Sequence, residues 1–211
     1  MKEAVVWPPS SSDAEHPEFP LTPSDSIDGS AAERSLVERA SRGDRDAFGA
    51  LVRAHLPRAL GLARRVLHDD GDAEDAVQDA FLQALQAMDR FDPRRPFWPW
   101  LARIVVNRSI DMAEARRVRA TEPLTETERD VTRDAFEVAS DRELVTRVRT
   151  LAKAMPPRQR LIVELHDIEE WTVSEIAGLT GSSAATVRWH LHMGRRVLRT
   201  ALAPLYHDKE K

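Results

Sequence analysis

Residues 172–199, TVSEIAGLTGSSAATVRWHLHMGRRVLR, carry the spacing of a helix-turn-helix. Thr172 and Glu175 predict a capping box: the hydroxyl takes the amide of Glu175, and the carboxylate reaches back to the amide of Thr172. A short helix follows, with Ile176 and Leu179 on one face. Ala177 is small where a second helix must cross closely, and Gly181 suits the left-handed turn that ends the first helix. Ser182 or Ser183 caps the next helix, and Val187 points back into the crossing. A small residue, a glycine four on, and a β-branched apolar residue six further are what two helices near a right angle require. The second helix also carries Arg188, Arg195, Arg196 and Arg199, cations for phosphates. That favours a reader of DNA over an ordinary helical hairpin.

Around this motif lies a chain of 211 residues, long enough for one or two modest domains with real cores. Glycine is scarce, and Ala, Leu, Arg and Glu dominate, which favours helix over sheet. There are no cysteines, so disulfide scaffolds, thiolate metal sites and cysteine redox switches are excluded. That is compatible with a reducing cytoplasm, the expected location. No apolar run approaches the roughly 18 residues of a membrane span, so no membrane insertion is expected. The N-terminal MKEAVVWPPSSS lacks the apolar core of a signal peptide.

The net charge of −4 is unevenly distributed. Residues 1–31 are net −5, residues 32–119 net +2, residues 120–143 net −5 and residues 144–211 net +4. Two mildly basic blocks are thus separated by an acidic connector and preceded by an acidic tail. So weak a basic excess binds naked DNA poorly, which suggests that a partner brings the chain to its site.

Residues 1–31, rich in Pro, Ser and Asp, read as a disordered extension. A helical pattern begins near Leu36. Asp44 is the expected N-cap of a segment in which Phe48, Leu51, Val52, Leu56, Leu60, Leu62 and Val66 trace an apolar stripe. Pro57 is expected to kink or divide that segment. HDDGD (68–72) reads as a turn and helix start. The next helix, from Asp72, places Val77, Ala80, Phe81, Ala84, Leu85 and Met88 on one face. Its other face holds Glu74, Asp75, Gln78, Asp79, Gln83 and Gln86. DPRRPFWP (92–99) is a proline-punctuated loop, and WLARIVVNRSIDMAEARRVR continues as a helix. Residues 120–140 read as a linker, and 141–205 as a last helical block holding LVTRVRTLAKAM, PRQRLIVELHDI and the helix-turn-helix.

Three stretches in this order resemble the extracytoplasmic-function sigma factors, the smallest group of the bacterial sigma-70 family. They are GDRDAFGALVRAHLPRALGLARRVL leading into DAEDAVQDAFLQAL, then FWPWLARIVVNRSIDMAEARR, then MPPRQRLIVELHDIEEWTVSEIAGLTGSSAATVRWHLHMGRRVLR. The likeness covers about residues 36–119 and 141–202. It implies an all-α protein: two small helical domains joined by a flexible acidic linker, the C-terminal one a helix-turn-helix. Residues 32–119 would hold core RNA polymerase and melt the downstream (−10) promoter element, and residues 141–205 would read the upstream (−35) element. The implied partners are core RNA polymerase, promoter DNA and an anti-sigma factor. Neither catalysis nor a cofactor is implied.

The residues can be read physically beside that resemblance. The acidic, Gln-rich face of the helix from Asp72 suits a basic protein partner. By resemblance Asp75, Gln78, Asp79, Phe81 and Leu82 dock on the polymerase's largest subunit, with Phe81 shared between core and contact. In the stretch 94–108, Phe97 and Trp98 lie among Arg94, Arg95, Arg103 and Arg108, a set able to stack unpaired bases and hold phosphates, and Arg116, Arg117 and Arg119 would reach the backbone. Asn107 matches a base-reading position, and its amide both donates and accepts. Trp98 departs from the family, where that position is small or polar; Trp100 is expected to be largely core.

The outward recognition-helix set is Ser182, Ser183, Ala184, Thr186, Arg188, Trp189, His190, His192, Arg195 and Arg196. Arg188 is the candidate for a bidentate guanine contact. Trp189 and His190 replace the family's common Ser-Arg, so Trp189 is either an apolar reader of a base methyl or a wall packed on a neighbour. His190 and His192 are two apart, which argues against a metal pair. The acidic linker either imitates nucleic acid on a basic surface or serves as a tether.

Two rival readings compete with this one. An enzyme would need a phosphate loop, a metal cluster or a nucleophile set, and none of their motifs is present. A stand-alone helix-turn-helix regulator explains the C-terminal block but leaves the acidic helix and the aromatic–Arg segment unassigned.

Overall fold

The computed structural model describes residues 29–121 and 155–207. The expected disordered extension up to residue 28, the acidic linker from residue 122 and the helix expected over LVTRVRTLAKAM lie outside the described residues. Within them the elements are α1 (Ala31–Ser41), α2 (Arg45–Leu67), α3 (Asp70–Ala87) and α4 (Phe97–Thr121). A second group holds α5 (Pro157–Val163), which runs into one π-helical turn (Glu164–Ile168), then α6 (Val173–Thr180) and α7 (Ala184–His207). No strand occurs among the described residues, as the all-α reading predicts.

Local chemistry sets the helix ends. The carboxylate of Asp44 accepts the amides of Asp46 and Ala47, each at 3.0 Å, and caps α2. These bonds, with the Arg39 guanidinium beside them, hold the Asp44 carboxyl below its ordinary pKa. At the other end His68 takes the left-handed conformation, φ 56°, and Asp69 immediately caps α3 through the amide of Asp72. The connection between α2 and α3 is therefore two residues long and fixes them as antiparallel neighbours. Pro57 does not divide α2, which runs unbroken for 23 residues. Its ring lies on the exposed side, and the packed residues Leu51, Ala59 and Leu62 on the opposite face hold the helix together across the missing hydrogen bond.

Alanines 73, 76, 80 and 84, all buried, let α3 approach its neighbours closely, while Leu51, Leu62, Leu101 and Ile110 fill the space between them. In the second group Leu161, Ile162, Leu165, Trp171, Ile176, Leu179, Val187 and Leu191 are buried. The capping box at Thr172 and Glu175 forms in full, and Gly181 ends α6 at φ 65°. Ser183, rather than Ser182, caps α7: its hydroxyl accepts the amide of Thr186 at 3.0 Å. Gly194 has a further role, since a Cβ there would run into Cγ2 of Val163. Glycine is what lets α7 cross α5.

The two groups share one continuous apolar core. α6 lies against α4, and the Arg103 side chain covers Gly181. Arg160, buried, donates to the carbonyl of Val66 at 2.8 Å, one of the four carbonyls left open at the end of α2. Arg65 pairs with Glu169 across the same seam. Burial pulls the pKa values of Arg103 and Arg160 down from the ordinary guanidinium range.

Candidate functional site

The face of α3 divides as its sequence predicts. Asp75, Gln78 and Leu82 are exposed at three- and four-residue spacing, and Asp79 is partly exposed beside them. Phe81 is 7% exposed and belongs to the core, touching this face only as part of its floor. Beside these residues lies an apolar groove of about 540 Å³ between α2 and α3. Leu82 and Leu85 form one wall, Val52, Leu56 and Leu60 the other. Sequence reading missed the second wall and Leu85 of the first, because the stripe on α2 and the apolar face of α3 both look like core. Leu56, Leu82 and Leu85 are in fact among the large apolar side chains left exposed.

The aromatic–Arg segment departs from its expectation. Trp98 is only 3% exposed. It stacks on His55 with ring centroids 5.7 Å apart, and the Arg58 guanidinium sits 4.0 Å from its ring centre. Phe97 is buried as well, packed against Phe91 and Trp100. These two rings pack the start of α4 on His55 of α2 and are not presented to unpaired bases. His55 in turn meets Glu33 at 3.0 Å, a buried contact tying α1 to α2. No spacing rule in the sequence reveals that pair, since 22 residues separate its members.

The arginines sort into groups. Arg94, Arg116 and Arg117 are exposed, and Asn107 is partly exposed on α4. Arg116 is paired with Asp72, and Arg108 with Asp79. Arg95 is partly exposed, 4.0 Å from Asp92. Arg103 departs from the expected phosphate role in this arrangement, because the α6–α7 turn covers it.

On α7, Val187, Leu191 and Gly194 face inward. Ala185, Thr186, Arg188, Trp189, His192, Arg195 and Arg196 are exposed, and Ser182 and Ala184 partly so. Arg188, His192, Arg195, Arg196 and Arg199 line a cleft of about 390 Å³ together with His166. Asp167 orients Arg195 through its Nε at 3.0 Å and raises its pKa. His190 turns partly inward; burial, then the nearby Arg158 charge, lowers its pKa. Arg158 itself lies within reach of the Thr180 carbonyl and the Ser182 hydroxyl, at 3.4 and 3.5 Å. Sequence reading did not single out Arg158. Among the described residues no cluster of three or more His, Cys, Asp or Glu could hold a metal, and no helix is long and apolar enough to cross a membrane.

Comparison with known proteins identifies the family. Residues 51–119 match the family model for sigma-70 region 2, and residues 146–198 that for sigma-70 region 4. The chain is similar to the sigma factor CnrH of Cupriavidus metallidurans, at 33% identity over 81% of this chain and 94% of that protein. It is also similar to the ECF RNA polymerase sigma factor SigW of Bacillus subtilis, at 29% identity over 82% and 97%. The solved structure of CnrH in complex with the cytosolic domain of CnrY covers 82% of this chain and 98% of that one, with a TM-score of 0.50 and 28% identity. Helical groups matching both regions in order, with relatives of this similarity along most of the sequence, establish that the chain belongs to the extracytoplasmic-function sigma factors of the sigma-70 family.

Proposed function

We propose that three surfaces divide the work of this RNA polymerase sigma factor. The exposed face of α3, with Asp75, Gln78, Asp79 and Leu82, docks on core polymerase. Its acidic groups meet a basic partner, and the adjoining α2–α3 groove takes that partner's apolar side chains. On α4, Asn107 with Arg94, Arg116 and Arg117 engages the downstream element. The outer face of α7, led by Arg188, reads the upstream element in a major groove. The supporting observation is the sorting of α7: apolar residues turn in at 187, 191 and 194, and a row of cations turns out.

The domain bounds that go with this reading are residues 32–119 for the polymerase and −10 unit and 141–205 for the −35 unit, joined by the acidic linker 120–140. The protein acts in the cytoplasm, where polymerase is, and catalyses nothing itself. Because CnrH is solved with the cytosolic domain of CnrY, an inhibitory protein partner of the anti-sigma kind is part of the reading. The test is reconstitution: sigma-free core polymerase plus this protein on bacterial genomic DNA, with RNA start sites sequenced. A promoter-specificity factor yields defined starts sharing two upstream elements. Tight duplex binding by the protein alone, with no starts, returns the stand-alone regulator.

A further inference from the structure

Trp189 is 56% exposed in the middle of the outer face of α7. Its aromatic neighbour is His190, edge-on at 4.9 Å and 74°. A bare indole in water forgoes the burial that stabilises most tryptophans, so its exposure is informative. Its surroundings narrow what can cover it. Arg188 adjoins it in sequence, and His192 and Arg196 follow one and two turns on, all exposed. The two guanidiniums, Arg188 and Arg196, repel basic surfaces and suit a polyanion. Within the major groove of a duplex the principal apolar feature is the C5 methyl of thymine.

We propose that Trp189 is a specificity-determining residue that recognises a thymine methyl in the upstream element. The inference rests on the upstream-reading role of α7. His190, partly buried, meets the indole edge-on and leaves its broad face open to a ligand. Arg188, one residue before, takes a guanine edge, and Trp189 takes an adjacent apolar step. The upstream element is therefore read by one bidentate hydrogen-bonding contact and one methyl contact side by side.

The experiment uses polymerase holoenzyme assembled with the full chain, wild type or Trp189→Ala, to select from duplexes randomised over the upstream element. The wild type should enrich a T·A pair at one position, and Trp189→Ala should lose that enrichment while keeping the rest of the pattern. That thymine is then replaced by uracil, which lacks only the methyl. Burying one methyl group is worth roughly 0.8 kcal/mol, or about fourfold. Uracil should weaken wild-type binding by about that factor and leave Trp189→Ala unaffected, with Trp189→Phe intermediate. Equal responses of wild type and Trp189→Ala to uracil, or an unchanged thymine preference, overturn the proposal while the upstream-reading role stands. A wild-type holoenzyme that selects no upstream sequence at all overturns both.

Discussion

Arg108 on α4 holds Asp79 on α3 through its Nε at 2.9 Å and through a second guanidinium nitrogen. One residue belongs to the segment assigned to DNA, the other to the face assigned to polymerase. The pair therefore links the two surfaces at the edge of the α3–α4 packing, whose geometry the buried core sets. Both side chains are partly exposed, so water screens the attraction. Arg108→Ala and Asp79→Ala, combined in a double-mutant cycle under urea denaturation, should give a coupling below about 1 kcal/mol. A coupling of several kcal/mol would show a desolvated structural bridge instead. The functional cost should be larger than the stability cost, appearing as weakened polymerase affinity in Asp79→Ala.

Neighbours on α3 should behave oppositely. Leu82 is 52% exposed, whereas Phe81 is 7% exposed. Leu82→Asp should leave the melting temperature nearly unchanged and lower affinity for core polymerase at least tenfold, about 1.4 kcal/mol. Phe81→Ala removes a core ring and should cost about 3–5 kcal/mol of stability. Co-purification with polymerase and thermal melts read the two effects separately. Undiminished co-purification of Leu82→Asp counts against the docking face.

The crossing of α7 over α5 depends on Gly194. Gly194→Ala puts a methyl into Cγ2 of Val163, and overpacking of this kind costs about 1–3 kcal/mol. Shortening the obstructing side chain should relieve it: Val163→Ala in the Gly194→Ala background should recover part of the lost stability, although Val163→Ala alone is destabilising. Additive losses in urea denaturation would show that the helices part rather than clash.

What was legible in the sequence was local. The caps at Asp44, Thr172 and Gly181 follow from side-chain oxygens or a missing Cβ acting within a few residues, and each forms as read. The all-α class and most of the inward and outward faces of α3 and α7 followed from helical period; Leu85, expected inward, is exposed, and His190, expected outward, turns partly in. Long-range packing was not legible. Trp98 beside arginines reads as a base platform, yet Arg58 and His55, some forty residues upstream, pack on its ring and bury it. Leu56 continues a core stripe but lines an open groove, because no element covers that side of α2 among the described residues. Pro57 obeys the local rule that it removes a hydrogen bond. It fails to divide the helix because packing on the opposite face outweighs that loss.

His190 gives α7 a pH dependence whose sign is fixed by its surroundings. Burial and then the positive charge of Arg158 lower its folded-state pKa below the ordinary value of 6.5. Its Nδ1 is buried and has no hydrogen-bond partner among the described residues, so nothing compensates a charge placed there. Above 6.5 the imidazole is neutral in both folded and unfolded chains and contributes no pH dependence. As pH falls through 6.5, the unfolded chain takes up the proton first, so stability declines until the folded-state pKa is passed. His190→Gln removes that proton-binding difference. Urea midpoints measured on both sides of pH 6.5 should therefore fall less with acidification in His190→Gln than in wild type, the other histidines contributing equally to both. Parallel decline in the two proteins would mean that the folded imidazole takes its proton as readily as the unfolded one, which its buried nitrogen and the adjacent guanidinium should prevent.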